Sequence, residues 1–461
     1  MHRDAATFVR ENIEAFAVAI ALALVIRHFC VEAFRIPTGS MRPTLLGDDT
    51  ERGRHGDRLL VDKSVWLRRD PRRYEVAVFQ YPLNRSKNFI KRILGLPGEW
   101  IRIRDGDLWV SRDEGVSWSC SAKPEGAQDQ LFFPFYPEPI DDPSALHDQR
   151  PNWDAEAGWT VDENEEAFDV DAGNAARALT FRPSIPAYHQ AGIRAGEGGP
   201  VGDVRIRLVA EVRRAGTLTI EITEHGRTHA LALADSRSSV TAVGTETTTT
   251  GLPFRLEVGR KHEIEFANAD GFLTMRVDGE SRRVEIPGDA TMLPMSQGVN
   301  WGRHGVAFRA EGIAARLGRI RIDRDVYYQP GDRREDEIWR IPPGHYFMLG
   351  DNSSNSQDSR KWNLKEVVLD DGTIIRWETG PRDGVFNPDS LQGGPQGVTT
   401  IQQDADGLQR RFSNSRVVSE HTSVPVAFVP RANLIGRAFV VFWPLFVPVI
   451  YDGPTRVKLI R

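Results

Sequence analysis

The sequence predicts a mainly β protein: one apolar N-terminal helix, then a β core split by a large inserted β-sandwich. Three observations carry this. Ala15 to Ile26 is continuously apolar. Residues 57–110 break into short β-branched runs separated by turn signals. From Val204 onward apolar and polar residues alternate, the period-two signature of a half-buried strand. At 461 residues the chain is long enough for two or three domains. An apolar content of 40%, with 41 glycines and 28 prolines, fits folded, loop-rich β structure rather than disorder.

The apolar run is bounded by Glu14 and Arg27 and is short against the roughly 20 residues of a membrane span. Extending it to Phe34 adds Phe29, Cys30, Val31, Ala33 and Phe34, with Arg27, His28 and Glu32 placed to snorkel. The region beyond the run is charged and aromatic and lacks a small-x-small cleavage signal. Residues 12–34 are therefore read as an uncleaved transmembrane anchor. Arg3 and Arg10 precede the run, but so do Asp4, Glu11 and Glu14, so charge sets no orientation.

Strands are expected at 58–62, 75–80 and 100–104, with a hairpin turn at Asp105-Gly106. Residues 35–110 thus form the first part of the core. The character changes over 111–325. Val204, Ile206, Leu208, Ala210 and Val212 alternate with polar residues, and further strands are expected at 217–222, 254–258, 262–266, 272–277 and 317–323. Asp270-Gly271 and Asp278-Gly279 mark tight turns. This spacing predicts a separate β-sandwich. The stretch Glu265 to Gly279 is similar to concanavalin- or laminin-G-like jelly rolls. The core resumes over 326–362, a loop-rich insertion with a little strand occupies 363–420, and final strands fill 421–461. The apolar stretch Ala438 to Tyr451 holds Pro444 and Pro448 and reads as a buried strand and its exit, not a second span.

A net charge of -5 implies no polyanion partner, and Arg68, Arg69, Arg72 and Arg73 read as a solvated face, not a nucleic-acid patch. The two cysteines, Cys30 and Cys120, have no CxxC or Cys/His spacing, and their pairing is left open. Asp162, Glu163, Glu165, Glu166, Asp169 and Asp171 lack the spacing of a calcium loop. Trp153, Trp159 and Trp301 are read as core. The rival reading, stacking on sugar, leaves a glycan or protein ligand of the insertion open.

The chemistry concentrates in three blocks. Ser40 lies in Ile36-Pro37-Thr38-Gly39-Ser40-Met41-Arg42-Pro43-Thr44-Leu45. A serine hydroxyl needs a base within hydrogen-bond reach. Eleven histidines are present, but none sits in a nucleophile-elbow context and there is no GxSxG. Lysine can replace histidine if burial lowers its pKa by several units. Lys91, in Asn88-Phe89-Ile90-Lys91-Arg92-Ile93-Leu94-Gly95-Leu96, has apolar neighbours for this. On an alternating strand it shares a face with Phe89 and Ile93, while Arg92 points to the other face and water. The third block is Gly350-Asp351-Asn352-Ser353-Ser354-Asn355-Ser356-Gln357-Asp358-Ser359-Arg360.

Together the blocks resemble the active site of bacterial type I signal peptidases, the leader peptidases that use a Ser/Lys dyad. The likeness covers about 12–110, 338–362 and 425–451. It implies a serine endopeptidase with Ser40 as nucleophile, Lys91 as general base and Ser356 orienting the lysine. Thr38 would help form the oxyanion hole with the Ser40 N–H. Asp358 and Arg360 would brace the site, Met41 and Pro43 would shape the loop and groove, and Gly350 and Asp351 would fix the turn of the third block. Gly56 to Lys63 looks like the strand along which an extended substrate adds. The resemblance further implies preprotein substrates with small residues one and three before the cut, no cofactor or metal, contact with membrane lipid, and a single-pass protein of the cytoplasmic membrane with its catalytic part outside the cytoplasm. Ser353 and Ser354 depart from the family, where charged residues are common. The rival readings are a processing protease of narrow substrate, and a membrane-tethered binding module on an inactive scaffold.

Overall fold

The computed structural model describes residues 5–48, 55–137, 152–161, 166–183, 185, 201–242, 247–286, 304–330, 337–378, 399–403, 409–413, 417–443 and 458–460. It is mainly β and divides into two compact units. The first comprises Met1–Arg102, Ser111–Val116 and Pro330–Arg461; the second comprises Ile103–Val110 and Ser117–Gln329.

Helix α1 (Ala5–Phe29) leads into strand β1 (Val31–Arg35) of the first unit. The anchor expected over 12–34 is corrected at its end. The chain leaves the helix at Cys30, and residues 31–35 are tied in register to β2 (Arg58–Asp62), from Val31 opposite Asp62 to Arg35 opposite Arg58. Among the described residues no helix is long and apolar enough to cross a membrane. The helix nevertheless leaves Ile13, Phe16, Val18, Leu22, Leu24 and Phe29 exposed.

The first unit is built on an eight-stranded sheet. Its order runs β1, β2, the strand Leu434–Trp443, β3 (Val76–Tyr81), β4 (Asn84–Gly95), His345–Leu349 and Val429–Pro430, and the eighth strand, Lys458–Leu459, pairs with Leu434–Trp443. Alternation along β3 gives the sheet two buried faces. Ala77, Phe79 and Tyr81 pack with Trp66, Ile93, Met348 and Trp362. Val76 and Val78 pack with Ile36, Met41, Leu45, Leu59, Val61 and Val441. Strand β2 is paired on both edges, with β1 and with Leu434–Trp443, so the expectation that substrate adds along 56–63 is not met. Strand β1 forms the sheet's terminal edge. The loop-rich insertion holds more strand than expected: Asn363–Leu369 pairs with Ile374–Glu378 and Val417–Pro425. Of the C-terminal apolar stretch, 444–451 lies outside the described residues.

The second unit contains an antiparallel sandwich. One sheet is centred on Val204–Arg214 and Ala314–Arg324, the other on Thr217–Glu224 and Arg227–Ala234. A single hydrophobic core joins them, with Ile206, Phe266 and Leu317 from one sheet and Ile220, Leu231 and Phe308 from the other. The expected strands at 217–222, 262–266, 272–277 and 317–323 are present; the expected strand at 254–258 is not, although Phe254 and Leu256 still fill the core. The turns at Asp270-Gly271 and Asp278-Gly279 put both residues of each pair at positive φ, the geometry that favours Asx-Gly in two-residue hairpins. Trp153 and Trp159 are core residues, and Trp301 lies outside the described residues. Of the acidic stretch, Asp169 pairs with Arg213 and Arg316, and Asp171 with Arg214. Both cysteines are free thiols.

Candidate active site

Strand β4 brings Lys91 to Ser40 in the first unit. Its partners are β3, where Ala77 lies opposite Lys91, and His345–Leu349, where Leu349 lies opposite Arg92. The latter strand ends one residue before Gly350, so the strand beside the lysine delivers the third block. Ser40 sits in a single 3-10 turn, Gly39–Met41. The turn is pinned by Met41 and Leu45, both fully buried.

Lys91 Nζ donates to Ser40 Oγ at 2.5 Å. Ser40 is 7% and Lys91 4% exposed. The lysine's apolar face is the one alternation predicted, and its Nζ lies 5.9 Å from the Phe89 ring centroid. Burial pulls its pKa from 10.5 down to about 8, against the opposing pull of Asp358 and Asp351 and with help from the Arg360 charge. At pH 7 about one molecule in ten then carries a neutral amine, several hundred times the fraction of an exposed lysine.

The expectation for Arg92 needs correcting. It points to the other face of β4, but that face is covered, and Arg92 is fully buried. Its Nε and Nη2 bond both oxygens of Asp351 at 2.8 and 2.7 Å, and its remaining donors reach Tyr74 O and Thr44 Oγ1. Alternation identifies a strand's two faces but does not reveal what packs on either. Its partner Asp351 lies 259 residues on, so no local pattern announces the pair.

The third block wraps behind the serine. Asp358 and Arg360 form a fully buried two-pronged pair, with Nε to Oδ1 at 2.8 Å and Nη2 to Oδ2 at 2.6 Å. Burial alone would raise the Asp358 pKa; the Arg360 charge and hydrogen bonds outweigh it and hold the carboxylate below its usual range. Arg360 also donates to Ser353 Oγ and O, so the serine that departs from the family pattern caps the arginine. Gly350 admits no side chain: a Cβ there would fall 2.3 Å from Ser356 Oγ and 2.4 Å from Ser40 O. Ser356 is buried, and its Oγ makes no hydrogen bond of good geometry to Lys91 or any other described residue, although it faces Asp358 closely enough to help depress that carboxylate. Thr38 is exposed, with Oγ1 3.4 Å from Ser40 Oγ. Pro43 follows the serine turn across a cis bond.

Among the described residues one group could offer three metal ligands, Asp107, Cys120 and Asp270 of the second unit, within 4.8 Å of one another. Lys123 already binds Asp270 there as countercharge.

A serine hydroxyl held by a buried, desolvated amine defines a site for amine-assisted nucleophilic chemistry. Residues 9–164 and 314–377, just under half of the chain, match the family model described as signal peptidase, peptidase S26. Signal peptidase I of Pseudomonas fluorescens is 44% identical over 116 residues, 24% of this chain and 41% of the relative. Signal peptidase I of Buchnera aphidicola is 38% identical over 123 residues, 25% of this chain and 39% of the relative. The chain thus spans about four tenths of the length of these curated relatives. Among solved structures, a carbohydrate-binding module from Bacillus subtilis matches 37% of this chain and 95% of its own, at 5% identity and a TM-score of 0.25, which carries no argument.

Proposed function

We propose that the protein is a membrane-bound serine endopeptidase that removes signal peptides from exported preproteins through a Ser40/Lys91 dyad. The observation that carries this reading is the 2.5 Å contact between Lys91 Nζ and Ser40 Oγ, in a pocket where burial keeps the lysine pKa near 8. Neutral Lys91 takes the hydroxyl proton as Ser40 Oγ attacks the scissile carbonyl. The resulting ammonium protonates the leaving amine, and the neutral amine then activates the water that hydrolyses the acyl-enzyme. The Ser40 N–H and Thr38 hydroxyl receive the oxyanion. Asp358 and Arg360 brace the third block. The extended substrate adds to β1, the terminal strand of the sheet among the described residues, which leads into the Ser40 turn. Small pockets select small side chains one and three before the cut.

In this reading α1 seats the protein in the cytoplasmic membrane, with the peptidase unit outside the cytoplasm. Its exposed apolar side chains support lipid contact. Its unbroken apolar run covers roughly 18 Å of a hydrocarbon core about 30 Å thick, so a span depends on snorkelling at both ends. The second unit is read as a concanavalin/laminin-G-like jelly roll.

The test is cleavage of a model preprotein by the full-length protein in proteoliposomes, with the product's new N-terminus read by mass spectrometry. Ser40→Ala and Lys91→Ala are each expected to lose at least about 10³-fold in rate. Cleavage by both variants at the wild-type rate would sink the dyad.

A further inference from the structure

The Ser40 backbone N–H lies on the far edge of the Gly39–Ser40 peptide plane from the Gly39 carbonyl, because a trans peptide holds the two groups in opposite directions. Whatever fixes that carbonyl aims that N–H. Two donors fix it: Arg42 N–H at 3.1 Å, within the serine turn itself, and Asn352 Nδ2 at 3.2 Å, from 313 residues away. Asn352 also holds the next plane, its backbone N–H donating to Ser40 O at 3.1 Å. Its amide is oriented in turn, since Ser354 Oγ donates to Asn352 Oδ1 at 3.4 Å and so presents Nδ2 to Gly39. Gly350 packs against the same Ser40 carbonyl with no room for a Cβ, which keeps Asn352 within reach. The two successive carbonyls around the nucleophile are thus both gripped by one residue.

We propose that Asn352 is a positioning residue that locks the Gly39–Ser40 peptide so that Ser40 N–H stays aimed as the oxyanion donor. The proposal rests on the Ser/Lys reading above. Oxyanion donors act only if they are held in place before charge develops, so loosening the plane weakens transition-state binding and leaves ground-state binding intact. Asn352 grips the backbone on either side of the nucleophile, through the Gly39 and Ser40 carbonyls, rather than the base.

The experiment compares Asn352→Ala and Asn352→Asp with wild type and Ser40→Ala in full-length protein. Readouts are kcat and KM for a peptide substrate, the pH profile, inhibition by a peptide boronate that forms a tetrahedral adduct with a serine, and the thermal midpoint. Asn352→Ala is expected to lower kcat about 10- to 100-fold, less than deleting a direct donor, with KM within about 3-fold. Boronate affinity should fall in proportion to kcat, and the pH limb should stay in place. Asn352→Asp keeps the shape but turns an acceptor towards the Gly39 carbonyl, and is expected to lose at least as much. Wild-type kcat in Asn352→Asp overturns the proposal. So does a shifted pH limb, or a loss of kcat without loss of boronate affinity. A wild-type rate in Ser40→Ala instead overturns the dyad on which the proposal rests.

Discussion

Lys91 and Lys123 are two buried lysines in opposite settings. Lys91 touches a hydroxyl and an aromatic face; its nearby carboxylates act on it without bonding it, because Asp351 is taken by Arg92 and Asp358 by Arg360. Lys123, 2% exposed in the second unit, donates from Nζ to Asp270 and, at 2.8 Å, to Asp325, while its backbone N–H donates to Asp270 Oδ2. Around it burial raises the pKa of Asp107, Asp203, Glu224 and Asp325, and the Cys120 thiol is pushed up as well. One lysine faces a hydroxyl with no carboxylate bonded to it; the other is the counterion of an acidic cluster. Burial is common to both, so the arginines that occupy the carboxylates of the first site separate an amine turned to a hydroxyl from one that serves as a countercharge.

Three measurements bear on that contrast. The largest effect is expected from Lys123→Met, which strands two buried carboxylates. The second unit should lose about 3–5 kcal/mol of stability, read by urea denaturation, and an unchanged midpoint would remove the difference between the lysines. Lys91→Met should act in the opposite sense. The native Lys91 pKa of about 8 lies below its ordinary 10.5, so below pH 8 folding carries the full cost of burying an amine that prefers to be charged. That cost is about 3 kcal/mol and fades as pH climbs from 8 to 10.5. The variant should therefore be inactive yet more stable than wild type at pH 7, with the gap closing by pH 10.5. The smallest effect concerns the pH–rate profile. Wild-type kcat/KM should rise with pH and level off above about 8. Asp358→Asn removes the strongest charge holding that pKa up, so its limb should move to lower pH by less than about one unit. A limb moving upward would place the control of Lys91 elsewhere.

The contrast also marks what the chain discloses in its own text. Lys91 is legible because Phe89, Ile93 and Leu94 flank it and the Ser40 block lies 51 residues before it. Lys123 stands in Ser121-Ala122-Lys123-Pro124, with nothing local to announce burial. Its partners Asp270 and Asp325 lie 147 and 202 residues on, one in a turn and one just past a strand end. Local rules see periodicity, so the sandwich strands and the Asp-Gly turns were readable. They do not see which face another segment covers, which is why Arg92 was expected in water. The same blindness extended the N-terminal helix to Phe34: apolar content persists there, but pairing of 31–35 with 58–62 decides the backbone.

The bridge between Gly106 and Tyr328 has a consequence for how the chain assembles. Arg92 and Asp351 must find each other across 259 residues of sequence. Once the second unit has folded and joined residue 106 to residue 328, the remaining tether is only about 40 residues, and the closure entropy falls by about 1.7 kcal/mol. Long-range contacts of this kind are slow to form. The geometry therefore favours condensation of the insertion before closure of the Arg92–Asp351 pair.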